Sequence, residues 1–249
     1  MLIQEVLRNL LVWLYVVISV PVMALFAILI RKKFWVRLWC EWLLKLLGIR
    51  IVVFGNSLPP KGQRYVFMSN HQSQLDIPVL EVLLKDYDIR FLAKKSLFKI
   101  PFFGWGISVL GYIPVEREDP KDGLRSLLAC ISALQSGMSL VIFPEGTRSR
   151  NGELLPFKKG GMIVSIKTQV PVCPIAIYGT KDILPKGSLW FHLNKRREVY
   201  VYVGSLIETK GMSLKDKEKL SQMVREEISR GLECFKEYFN EGEKLWEKS

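Results

Sequence analysis

Three observations predict an α/β fold with a central mixed, mostly parallel sheet flanked by helices and preceded by a two-helix membrane-anchoring segment. Beyond Gly48, short β-rich runs alternate with helical stretches. Ahead of them, residues 10–30 form a run of 21 residues without a charge, followed by a basic, Trp-rich stretch. No Pro/Ser-rich linker, internal repeat or low-complexity run divides the remainder. The expected division is therefore a membrane-associated two-helix segment over residues 1–50 and one α/β domain over residues 51–249.

The first helix, LLVWLYVVISVPVMALFAILI, would measure about 31 Å at ~1.5 Å per residue, enough to cross a bilayer core. Arg31, Lys32 and Lys33 follow it where a signal peptide would carry a small-residue cleavage site, so the segment is retained. So long an apolar run exceeds what a helix in a soluble bundle shows on all its faces. In the next stretch, RKKFWVRLWCEWLLKLLGIR, Phe34, Leu38 and Trp42 recur at helical spacing, with Arg37, Glu41 and Lys45 on another arc. A helix of that kind lies in the headgroup layer. Two arrangements remain: a single span, or a hairpin in one leaflet that turns at Pro21. Pro21 and the adjacent amphipathic helix favour the hairpin. Either places the rest of the chain on the cytosolic face of the cell membrane.

Strands are expected at residues 65–70, 89–93, 112–116, 140–144, 172–178 and 199–203, where β-branched and aromatic residues cluster. Helices are expected at 79–85, 124–135 and 161–167. Residues 214–238 carry Leu220, Met223, Val224, Ile228, Leu232 and Phe235 on a single helical stripe, the pattern of a helix packed on the body.

Composition narrows the function. A chain of 249 residues, 49% hydrophobic with seven Trp, can bury a core, which excludes disordered and collagen-like classes. Four dispersed cysteines without a CxxC pair and only two histidines exclude a zinc ribbon and a disulfide framework, and no metal is expected. The net charge of +12 points to an anionic partner, nucleic acid or membrane. Residues 1–50 hold a net of five of those charges beside lipid-seeking segments, so an anionic membrane surface accounts for them and no nucleic-acid partner is expected.

Two stretches carry chemistry. In YVFMSNHQSQLDIPVL, His71 follows a strand and Asp76 stands five positions on, before a helix opened by Pro78. Five positions on one helix lie about 140° apart, so only a turn brings them together. Asp76 could then fix the tautomer of His71 and support the imidazolium, the base–orienter half of a triad. No GxSxG supplies a nucleophile, so the activated hydroxyl would belong to the substrate. The alternative is an Asp76 that only caps the helix. In SLVIFPEGTRSRNGELLPFKKGG, a strand ends in a loop with Gly146, Thr147, Arg148, Ser149 and Arg150, then Lys158 and Lys159 before a helix. Backbone donors beside Arg and Lys suit a phosphate monoester, though a charged surface hairpin would read the same way. It is not a Walker A loop.

These residues resemble the glycerophospholipid acyltransferase superfamily. NHQSQLD is similar to its NHx4D motif, GYIPVER (residues 111–117) to Gly-x-Ile-x-x-x-Arg, FPEGTRS (143–149) to the third motif and VPVCPIAI (170–177) to the fourth. The motifs stand in the family's order, and the chain most resembles its lysophosphatidate acyltransferases. The resemblance implies transfer of a fatty acyl group from an acyl-carrier-protein or acyl-CoA thioester to the sn-2 hydroxyl of 1-acyl-sn-glycerol-3-phosphate. It makes His71 the general base and Asp76 its partner, and gives the phosphate and glycerol to Lys94, Arg117, Glu145, Gly146, Thr147 and Arg148. Glu145 would accept from a substrate hydroxyl or orient Arg148 or another cation. No cofactor is implied, because acyl transfer from a thioester is downhill. Alternatives are another acceptor, such as glycerol-3-phosphate or a different lysophospholipid, and a non-catalytic membrane lipid-binding protein. The apolar stretch 96–111 would line an acyl groove, touch lipid or form a buried connection.

Overall fold

The computed structural model describes residues 2–30, 34–116, 120–193 and 197–246. Helices α1 (Leu2–Ile30) and α2 (Phe34–Leu47) lead into strand β1 (Arg50–Gly55). There follow β2 (Val66–Ser69), α3 (Asp76–Leu83), β3 (Ile89–Lys94), a 3-10 turn (Lys95–Lys99), α4 (Phe103–Val109), β4 (Ile113–Val115), α5 (Pro120–Gln135) and β5 (Ser139–Ile142). The chain continues through α6 (Gly160–Thr168), β6 (Val172–Tyr178), α7 (Thr180–Ile183), β7 (Glu198–Val203) and α8 (Lys217–Trp246).

The sheet has seven strands in the order β1-β7-β6-β2-β5-β3-β4. β2, β3, β4, β5 and β6 are mutually parallel, β7 runs antiparallel to β6, and β1 pairs parallel with β7. The mixed, mostly parallel sheet flanked by helices is thus the expected class. One strand, β1, lies outside the six read from the sequence, and the short helices α4 and α7 lie outside the helices read from it.

Both faces of the sheet are buried, so its central strands are apolar on successive residues, as parallel strands are. Phe67, Val141 and Ile177 point into a cluster with Leu43, Leu44 and Leu47 of α2 and Val79 and Leu80 of α3. Their neighbours Val66, Met68, Leu140 and Ile142 point into a second cluster with Leu134 of α5, Met162 of α6 and Leu220, Val224 and Ile228 of α8. The amino-terminal helices therefore share a core with the sheet.

Two prolines sit in strands without breaking them. Pro114 lies on the edge strand β4, where its carbonyl accepts from Ser126 Oγ at 2.7 Å and no neighbouring strand needs its missing N–H. Pro174 lies in β6 just before the β7 pairing begins at Ile175.

Candidate active site

Because five strands are parallel, β6, β2, β5, β3 and β4 end on one edge of the sheet, side by side. Crevices outside the carboxyl ends of such strands are where α/β folds bind ligands. His71 follows β2, residues 143–150 follow β5, Lys94 closes β3 and Thr180 follows β6. Lys94 ends two strands from His71, about 10 Å at ~4.8 Å per strand.

The turn after β2 is built by side chains that stand in for strand hydrogen bonds. Asn70, fully buried, accepts from Ile177 N–H (2.7 Å) and donates through Nδ2 to Ile177 C=O (2.9 Å), which extends the β2–β6 pairing by one residue. The chain then turns, and His71 Nδ1 meets Asp76 Oδ2 at 2.8 Å. The same oxygen accepts from Gln72 N–H (2.7 Å) and Ser73 N–H (2.9 Å), while Oδ1 accepts from Thr180 Oγ1 (2.5 Å). Asp76 therefore reaches back to the turn, and α3 has no side-chain cap hydrogen bond. An oxygen that already accepts two N–H groups can only accept from the ring, so Nδ1 carries the hydrogen and Nε2 is left with the lone pair. The imidazole stacks on Phe143, centroids 3.9 Å apart and planes at 14°, and its side chain keeps 15% exposure. Nε2 has no partner among the described residues.

The loop after β5 is locked to that turn. Ser149 N–H donates to His71 C=O at 2.7 Å. Glu145, 3% exposed, accepts from His71 N–H through Oε1 (2.7 Å) and from Leu155 N–H through Oε2 (2.9 Å). Both oxygens are thus occupied by backbone, which differs from the expectation of a substrate hydroxyl or Arg148 as partner: one carboxylate braces both the His71 turn and the 145–155 loop. Burial pushes its pKa from the ordinary 4.5 up to about 7, with Asp76 nearby adding to the rise and the two N–H groups opposing it. Gly146 has φ +69°, and a Cβ there would meet Lys158 Cδ and Cε at 3.1 Å, so the glycine lets the lysine stem lie across the loop.

Cations gather around this loop. Arg148 is half-buried and Lys94 and Lys158 are exposed. Thr147 is exposed and accepts from Lys186 Nζ at 3.2 Å; the same ammonium donates to Arg148 C=O at 2.6 Å. Lys95, beside Lys94, is instead paired with Asp122 at 2.5 Å. Arg117 lies outside the described residues. Lys186 and Thr180 were not singled out from the sequence, and no local signal could have found them: Lys186 is 38 or 39 positions from its partners and Thr180 is 104 from Asp76. Among the described residues, no group of three or more His, Cys, Asp or Glu could hold a metal ion.

Comparison with known proteins bears on this arrangement. The acyltransferase family model matches residues 50–178, from β1 to the end of β6. The 1-acyl-sn-glycerol-3-phosphate acyltransferase of Borreliella burgdorferi is 32% identical over 209 residues, 84% of this chain and 80% of that protein. The chain belongs to the 1-acyl-sn-glycerol-3-phosphate acyltransferase family. The chloroplastic 1-acyl-sn-glycerol-3-phosphate acyltransferase BAT2 of Brassica napus is 44% identical over 132 residues, 53% of this chain. The chain spans only 38% of that plant relative's length. In structure, this chain matches the crystal structure of the 1-acyl-sn-glycerophosphate (LPA) acyltransferase PlsC from Thermotoga maritima. The TM-score is 0.77 at 29% identity, over 94% of this chain and 97% of that one.

Proposed function

We propose that this chain transfers a fatty acyl group from an acyl-carrier-protein or acyl-CoA thioester to the sn-2 hydroxyl of 1-acyl-sn-glycerol-3-phosphate, forming phosphatidate. The observation that carries the reading is a histidine oriented by a fully buried carboxylate, with Nε2 open, at the edge of a loop rich in cations. Nε2 takes the proton of the 2-hydroxyl as its oxygen attacks the thioester carbonyl, and Asp76 stabilises the imidazolium. The C–O bond forms, the C–S bond breaks, and the departing thiolate recovers the proton from Nε2. No acyl-enzyme is required. Arg148, Lys94 and the Lys186 ammonium lying on Thr147 supply positive charge for the phosphate, with Arg117 kept in that role by resemblance. Glu145 acts through the His71 backbone.

Catalysis is assigned to residues 51–249 and membrane contact chiefly to residues 1–50, with the catalytic edge on the cytosolic face. Among the described residues one helix, Ile3–Ile30, is long and apolar enough to cross a membrane. The helix runs through Pro21 without the turn expected there, yet its contacts favour lying along one leaflet. Asn9 exchanges hydrogen bonds with Phe191 backbone (2.9 and 2.7 Å), Trp13 Nε1 donates to Leu189 C=O (2.8 Å), and Ala24 and Ala27 are buried. From residue 9 to residue 27 the body follows the helix for about 27 Å, nearly the thickness of the hydrocarbon core. A perpendicular span would drag that polar body into the bilayer.

The test is an acyl-transfer assay on the detergent-solubilised protein, with lysophosphatidate, glycerol-3-phosphate and lysophosphatidylcholine offered side by side and both donor classes supplied. Selective esterification of lysophosphatidate is expected. Preference for another acceptor would overturn the substrate assignment, and no transfer at all by folded protein would leave a lipid-binding protein.

A further inference from the structure

Soluble helices bury their large apolar residues and expose the small and polar ones. Helix α4 departs from this: it buries Gly104 and Gly106 beside Ile107, while Phe103 (36%), Trp105 (53%) and Val109 (38%) face out, with Ile100 and Phe102 (each 46%) just ahead of them. A similar pattern marks α1, which buries Asn9, Ala24 and Ala27 beside Val12 and exposes Leu7, Leu11, Leu14, Ile18, Leu25 and Leu29. The two helices pack side by side: a Cβ on Gly106 would stand 3.4 Å from Ala24. Their outward faces therefore form one continuous apolar surface.

The chain holds that surface out against its own preferences. Phe102 has φ +62° and ψ −60°, and Phe103 N–H donates to Pro101 C=O at 2.7 Å, a γ-turn of the rare, positive-φ kind. The ring is packed edge-on to Trp105, centroids 5.2 Å apart, at the tip of the connection. Exposed Lys94 and Lys99 precede it, and Lys94 closes β3 at the catalytic edge.

We propose that the connection 100–109 is a membrane-inserted wedge that seats the mouth of the active site on the lipid surface, with Phe102 and Trp105 among the acyl chains and Lys94 and Lys99 toward anionic headgroups. Continuity with the apolar face of α1 and the flanking cations commit the surface to a bilayer rather than to a protein partner. The proposal rests on the acyltransferase reading only for its purpose, delivery of a lipid substrate from the plane of the membrane. It explains why an aromatic connection leaves β3 beside the site.

The test uses the full chain bound to phosphatidylcholine/phosphatidylglycerol vesicles whose acyl chains carry bromine near the headgroup. Trp105 is read as the difference in fluorescence between wild type and Trp105→Phe, a variant that keeps the surface apolar. The difference signal is expected to fall by half or more on brominated vesicles. Quenching of the remaining tryptophans with an unchanged Trp105 signal would overturn the wedge while leaving membrane binding intact, and quenching of none would overturn both. A dimer in detergent that Trp105→Ser converts to a monomer would make the face a contact between copies and contradict the proposal. In a parallel assay, Phe102→Ser with Trp105→Ser is expected to raise the apparent KM for vesicle-borne lysophosphatidate several-fold and to leave a short-chain, monodisperse acceptor unaffected. Equal effects on both would also contradict it.

Discussion

Four donors converge on the carboxylate of Asp76: His71 Nδ1, two backbone N–H groups and the Thr180 hydroxyl. Such a group has one geometry open to it, and the imidazole inherits that geometry. Glu145 performs the corresponding service for the backbone of His71, at an electrostatic cost that pH can reveal. The folded carboxyl holds its proton to about pH 7, whereas the unfolded one releases it near 4.5. Between those values the native state binds more protons, so the stability linked to this group is fully present below about pH 4.5. It is lost as pH rises to about 7, roughly 3 kcal/mol at most. Glu145→Gln removes the titration. The difference in Tm between wild type and Glu145→Gln, followed by thermal denaturation in detergent, should therefore shift against the wild type across that window. A difference that stays flat with pH would contradict the account.

At the scale of elements, close approach rather than propensity decides several packings. Gly231 places α8 on β6 and β7 so tightly that a Cβ would stand 2.6 Å from Tyr202 Cδ1 and 2.7 Å from Ala176 Cβ. Gly231→Leu should lower stability by about 1–3 kcal/mol, seen as a reduced Tm, by forcing the helix off the sheet; an unchanged Tm would refute that packing. The stripe of Leu220, Val224, Ile228, Leu232 and Phe235 that buries α8 was legible because helical spacing survives in any context. The central strands were legible as short apolar runs for the same reason. β1 was not, because RIVVFG directly follows the apolar amino-terminal helices and its status as a strand depends on β7, nearly 150 positions away. α4 was missed because its glycines and outward aromatics invert the pattern by which helices are recognised.

For the whole molecule, the directions of five parallel strands turn scattered motifs into one site. His71 and Asp76 were legible as a pair, since five positions across a turn leave few alternatives. The loop of Arg148 was legible from its glycine and cations. Thr180 and Lys186 were not, because they come from the far side of β6 and meet the site only through strand order. In the proposed reaction this edge delivers a base to a hydroxyl of a bound lipid phosphate. The most direct measurement is turnover of lysophosphatidate by His71→Ala, with lysophosphatidate binding to the same protein measured in parallel. Turnover is expected to fall by about 100-fold or more while the Kd stays close to that of the wild type. Turnover within a few-fold of wild type would contradict it.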